Sequence, residues 1–125
     1  MNKILIISNN KAIRESLKHL LSCLESVQID AQSSDMLTHP SFLLTVYKLL
    51  IIDLSLGKPG TLMTLKKLRA KFPDLPILAM GEYTEPEFSG AIVKAGASKY
   101  ISINTTAEEI HRAVVEVGPL TVGQN

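Results

Sequence analysis

The stretch Lys48-Leu49-Leu50-Ile51-Ile52-Asp53-Leu54-Ser55-Leu56-Gly57-Lys58-Pro59-Gly60 constrains the fold more than any other. Leu49 to Ile52 are all apolar, they end at one carboxylate, and the chain then enters a loop with two glycines and a proline. A short, continuously apolar run bounded by turn residues is the pattern of a strand buried on both faces. Asp53 then falls at that strand's C-terminal end. In open α/β sheets that edge is where ligands and chemistry collect.

The remaining chain repeats this pattern around helices. Ile4 to Ile7 form another buried-strand run, and Asn10 can cap a helix whose stripe is Ile13, Leu17, Leu20, Leu21 and Leu24. Cys23, beside that stripe, reads as a small packing residue. Val27 to Ala31 alternate like an edge strand, and a short helix is expected on Phe42, Leu43, Val46 and Tyr47. Thr61 can cap a helix carrying Leu62, Leu65, Leu68 and Phe72, followed by a strand over Pro76 to Met80 that ends at Gly81. Thr84-Glu85-Pro86-Glu87 fits a capping box for a helix with Phe88, Ile92 and Val93, which stops at Gly96. Lys99 to Ile103 form the last strand, and Thr105 or Thr106 opens a final helix with Ile110, Ala113, Val114 and Val117.

Strands alternating with helices predict an α/β domain with a five-stranded, doubly wound parallel sheet of order 2-1-3-4-5, flavodoxin-like. The switch point between the first and third strands would gather Ser8, Asn9 and Asp53, with Gly81 and Ile103 closing the site. The expected domain spans residues 1–117, with residues 118–125 a tail or the start of a linker.

Composition narrows the function. Thirteen basic against twelve acidic residues leave no strong field, so direct nucleic-acid binding by this domain is not expected. The single cysteine excludes an internal disulfide and suits a reducing compartment. No apolar run is long enough to span a bilayer, and Met1-Asn2-Lys3 leads straight into a strand rather than a secretory signal, so a cytoplasmic location is expected. His19, His39 and His111 share no ligand spacing with one another or with Cys23 and read as surface residues. Met36, Met63 and Met80 read as core or loop fillers. The Gly57-Lys58-Pro59-Gly60 loop matches neither a phosphate-cradling loop nor a dinucleotide fingerprint.

Leu50-Ile51-Ile52-Asp53-Leu54-Ser55-Leu56 with Pro59-Gly60, Phe72-Pro73-Asp74-Leu75-Pro76-Ile77-Leu78, and Ala95-Gly96-Ala97-Ser98-Lys99-Tyr100 together resemble a response-regulator receiver domain of the CheY-like type. The last two segments are closest to the subfamily whose receiver precedes a helix-turn-helix output domain. The resemblance implies two-component signal transduction, in which a histidine kinase passes a phosphoryl group to an aspartate at the end of the third strand. Asp53 holds that position. The rest of the family's site departs from the pattern. The two acidic residues that hold Mg²⁺ are replaced by Ser8 and Asn9, the hydroxyl residue ending the fourth strand by Gly81, and the lysine ending the fifth by Ile103. The aromatic of the fifth strand is retained as Tyr100.

Phosphoryl transfer onto a carboxylate crowds negative charge and depends on positioned cations. Here the expected metal set shrinks to Asn9, Asp53 and Ser55, so Mg²⁺ binding is expected to be weak and no other cofactor is implied. Lys58 or Lys99 would have to reach in as substitute cations. The leading expectation is a pseudo-receiver: no enzyme, Asp53 vestigial, acting as a phosphorylation-independent interaction or dimerisation module in transcriptional control. Its partners would be an output domain, a histidine kinase or regulator, or a second copy. The family's dimer surface, made by the fourth helix, fifth strand and fifth helix, would here include Phe88, Ile92, Tyr100, Arg112 and Val115. The alternative is a working phosphorelay receiver that accepts a phosphoryl group on Asp53. A flavin-type binder at the switch point finds no phosphate loop at Ser8-Asn9-Asn10.

Overall fold

The computed structural model describes residues 2–24, 26–38, 46–54, 61–83 and 85–118. Five parallel strands, β1 (Asn2–Ile7), β2 (Val27–Gln32), β3 (Leu49–Asp53), β4 (Ile77–Gly81) and β5 (Lys99–Ser102), lie in the order β2-β1-β3-β4-β5. Four α-helices lie among the described residues: α1 (Lys11–Leu21), α2 (Thr61–Lys71), α3 (Pro86–Ala95) and α4 (Ala107–Val117). Right-handed crossovers make this order the natural solution for alternating strands and helices.

The two-residue period of the strands splits the core into two layers. Leu5, Ile7, Leu50, Ile52, Ile77 and Ala79 meet Leu65, Leu68 and Phe72 of the α2 segment and Ile92 and Ala95 of α3. Ile4, Ile6, Leu49, Ile51, Leu78 and Met80 meet Leu17 and Leu21 of α1 and Ile110, Ala113 and Val114 of α4. Both faces of β3 are therefore covered, which is why its run reads as continuous rather than alternating.

The helix starts follow the sequence in part. Asn10 caps α1 by accepting from the Ile13 N–H at 3.2 Å, and Thr106 caps α4 by accepting from the Glu109 N–H at 3.2 Å. The start of α3 differs from the expected capping box. Its cap is Glu85, which makes no side-chain capping bond, and Pro86 sets the first turn by its fixed φ; Thr84 lies outside the described residues. Thr61 is the first residue of α2 rather than its cap. The helix expected around Phe42 to Tyr47 falls mostly outside the described residues. Val46 there is 51% exposed, and the described part of this crossover holds a short 3₁₀ helix at Ser34–Thr38.

Arg69 joins α2 to the turn before β5. Its guanidinium donates twice to the Gly96 carbonyl, at 2.9 and 2.8 Å, and once each to the carbonyls of Phe72 and Pro73. Gly96 sits at φ +140°, where a Cβ would also lie 2.7 Å from Arg69 Cβ, so both backbone and space require glycine.

Tyr47 closes the other edge. Its hydroxyl donates to Asp30 Oδ2 of β2 at 2.7 Å. Burial, then the bond to Asp30 and that carboxylate's charge, push the Tyr47 phenol up to about 12 from its ordinary 10.0. A phenol whose folded pKa is raised favours the fold while neutral. Its contribution is complete below pH 10 and is lost as pH rises through about 12. Urea unfolding followed across this window is expected to show a loss of stability that Tyr47→Phe reduces.

Candidate functional site

The register brings the strand ends together: Ile7 lies beside Ile52, Asp53 beside Met80, and Gly81 beside Ser102. Ser8 and Asp53 are the two buried polar residues at this edge, 0% and 2% exposed. The Ser8 hydroxyl donates to Asp53 Oδ2 at 2.7 Å and accepts from the Asn10 N–H at 3.1 Å. Its one proton goes to the carboxylate, a charge-assisted bond in a site of low dielectric. Arg14, which the sequence patterns did not single out, donates to the Ser8 carbonyl at 2.7 Å. Its placement in the first turn of α1, directly above the loop that leaves β1, was the available signal. The cap at Asn10 and the Arg14 bond together fix the Ser8 backbone.

Asn9 faces elsewhere. It is exposed, and its side-chain oxygen accepts from the Ser34 N–H at 2.8 Å, which ties this loop to the 3₁₀ helix. Ser55 and Lys58 lie outside the described residues. Lys99 sits at the start of β5, half-buried at its side chain, and pairs with Glu116 of α4 at 3.1 Å. Ile103 donates its backbone N–H to the Gly81 carbonyl at 2.8 Å, while its half-buried side chain packs on the α1–α4 layer.

The end of β4 is occupied in a specific way. The Tyr100 hydroxyl donates to the Tyr83 carbonyl at 2.6 Å. A Cβ added at Gly81 would lie 2.5 Å from that hydroxyl and 3.2 Å from two ring carbons. The phenol therefore fills the room that a side chain at position 81 needs. Phe88 packs edge-on against Tyr100 at 5.6 Å and tilts against Tyr83 at 5.2 Å. Burial, with the carboxylates of Glu85 and Glu82 adding to it, pushes the Tyr100 phenol above its ordinary 10.0.

On the expected partner surface, Tyr100, Arg112 and Val115 are at least partly exposed and Phe88 is half-buried. Ile92 is a correction: at 1% exposure it belongs to the core with α2, because Phe88, Ile92 and Ala95 share the inward stripe of α3. Val93, 45% exposed, is the outward apolar residue of that helix. It lines a shallow groove with Pro86, Ser89, Gly90, Lys99 and Glu116. Arg112 is held by Glu109 one turn earlier.

Cys23 is exposed rather than packed. Its sulfur lies 3.2 Å from Nε2 of His111, which in turn lies 2.7 Å from the Leu20 carbonyl. A carbonyl only accepts, so Nε2 carries the proton and His111 links α4 to the end of α1. The two residues are 88 apart in sequence, which is why spacing could not reveal the contact. Met80 is core at 1% exposure, whereas Met63 and Leu62 stand out from α2 at 55% and 40%.

A doubly wound parallel sheet with a buried carboxylate at its switch point defines the class. The sequence model of the family described as response regulator receiver domain matches residues 4–115. The chain belongs to that family. It is 29% identical over 115 residues to the oxygen regulatory protein NreC of Staphylococcus epidermidis, a match covering 90% of this chain and 52% of that protein. The chain thus spans about half the length of the curated relatives it matches. A LuxR-family two-component response regulator from an Aurantimonas species superposes with TM-score 0.80 at 20% identity, over 92% of this chain and 83% of that one. A response regulator receiver domain protein from Clostridium thermocellum gives TM-score 0.76 at 19% identity, over 94% of each chain. These likenesses to solved structures establish the shared fold.

Proposed function

We propose that this receiver domain works without aspartyl phosphorylation, as a protein-interaction and dimerisation module within a transcriptional regulator. The observation that carries the reading is the bond from Ser8 to the buried Asp53. Where a metal site would need a second carboxylate, a neutral hydroxyl already occupies one Asp53 oxygen. Mg²⁺ is usually held by one or two carboxylates with several waters. Asp53 with Ser8, and Asn9 turned to Ser34, do not fit that ion. Gly81 and Ile103 add neither a hydroxyl nor a charge. Asp53 is then a structural acceptor that holds the loop after β1, and no phosphoryl chemistry is assigned to it.

The partner surface is α3, β5 and α4. Exposed Val93 and Val115 supply apolar contact, and Lys99, Glu116, Glu109 and Arg112 supply charges of both signs for a self-complementary pairing. The relatives' names, a regulatory protein and a two-component response regulator, support a place in signalling, and the greater length of the NreC proteins supports an output domain in the whole protein.

The test is sedimentation of the chain and of two variants. Val115→Glu is expected to shift any dimer toward monomer, while Asp53→Asn, near-isosteric and still able to accept from Ser8, leaves association unchanged. Association that requires a phosphodonor and vanishes in Asp53→Asn would transfer the function to the phosphoacceptor reading.

A further inference from the structure

The outer face of α2 is the least explained surface of the fold. The helix Thr61–Lys71 contains no acidic residue and four cations in a chain whose net charge is +1. Arg69 is used internally, on the carbonyls of Gly96, Phe72 and Pro73. Lys66, Lys67 and Lys71 are exposed and have no carboxylate within ion-pair distance among the described residues, unlike Lys99 and Arg112.

The same face carries the apolar residues the core does not use. Leu65 and Leu68 point inward at 0% and 8% exposure, while Leu62 and Met63 point outward at 40% and 55%. At 3.6 residues per turn, Leu62, Lys66 and Ala70 form one ridge, and Met63, Lys67 and Lys71 form its neighbour. Two apolar side chains thus sit one turn before two ammonium groups, on adjacent ridges. The Arg69 clamp roots the helix at its C-terminal end, so the face is presented on a fixed platform.

We infer that the outer face of α2 docks an acidic, amphipathic helical segment of a partner protein, with Leu62 and Met63 as apolar anchors and Lys66 and Lys67 as charge partners. Two large apolar residues favour this occupant over nucleic acid, where such positions carry aromatic or hydrogen-bonding groups. The patch is too small an apolar area to hold a membrane surface, which needs a long apolar stripe. Charge complementarity selects the sign of the partner and raises its association rate. The face is separate from the α3–β5–α4 surface proposed above, so each can stand without the other.

The experiment is an amide and methionine-methyl NMR titration of the 125-residue chain. The probes are a helical peptide with two leucines and three glutamates on one face, its glutamine counterpart, anionic lipid vesicles and duplex DNA. The expected result is saturable shifts at Leu62, Met63, Lys66 and Lys67 with the acidic peptide alone. They should weaken with salt and fall on the order of tenfold in affinity for Lys66→Glu with Lys67→Glu. Met63→Ser, at an exposed position, is expected to keep the fold and lose the methyl-side contacts. Shifts given only by vesicles or DNA, equal shifts with the glutamine peptide, or none up to millimolar peptide would each overturn the proposal.

Discussion

Gly81→Thr is expected to cost the domain about 2 kcal/mol, the usual range for forcing atoms into a filled site, and to drive the Tyr100 ring off the end of β4. The cause is spatial, because a Cβ at position 81 meets the Tyr100 hydroxyl at 2.5 Å and ring carbons at 3.2 Å. Backbone around residue 81 is ordinary strand, so glycine is not needed there for its conformation. Either the new side chain or the phenol has to leave. The phenol is the freer of the two, since it is held by one hydrogen bond to Tyr83 and by Phe88. A double-mutant cycle separates this from general damage to β4. In a Tyr100→Ala background, Gly81→Thr is expected to be close to neutral, so the two sites couple by most of the single-mutant cost. In the single variant the Tyr100 phenol, no longer buried, should also titrate nearer 10. Simple additivity would mean that Tyr100 is not what excludes a side chain from position 81.

Ser8→Asp should be more costly, on the order of 3 kcal/mol at neutral pH. The Ser8 oxygen lies 2.7 Å from Asp53 Oδ2, and both residues are buried. A second carboxylate there loses the hydroxyl proton that Asp53 now accepts and places like charges in contact. One of the two carboxyls must hold a proton, so the folded-state pKa of the pair rises above the unfolded value near 4. The sign follows. The charge part of the deficit is absent at pH values below about 4, where both states carry the proton, and it grows as pH rises from there toward the raised folded value. Urea unfolding of wild type and variant at pH 4 and pH 7.5 measures it. A variant as stable as wild type at pH 7.5 would mean that the pocket is wet enough to tolerate two charges, as a metal-binding receiver's pocket must be.

The sheet was legible because its strands are buried on both faces. Ile4 to Ile7, Leu49 to Ile52 and Ile77 to Met80 read as apolar runs for the same reason that they fill both core layers. Asn10 and Thr106 were legible as caps because their chemistry is local. The misses share a different cause, which is contact between distant segments. Cys23 and His111 meet only through the packing of α1 on α4, and Arg14 reaches Ser8 only because the chain turns back after β1. Ile92 was placed on the partner surface by the family resemblance rather than by its own stripe, and Leu62 was misplaced because a helical stripe fixes a face but not its edges. Ile92 falls in the middle of the inward stripe of α3 and Leu62 just outside that of α2. At the site itself, the identity of Ser8, Gly81 and Ile103 was plain from sequence. That the Tyr100 hydroxyl occupies the place of a side chain at Gly81 depends on the pairing of β5 with β4, which no local pattern encodes.

We propose that Asp53 does not serve as a phosphoacceptor. The most direct measurement is the intact mass of the chain after incubation with acetyl phosphate and Mg²⁺, alongside Asp53→Asn. No phosphoryl adduct is expected on either protein. A stoichiometric adduct on the wild-type chain that Asp53→Asn abolishes would contradict it.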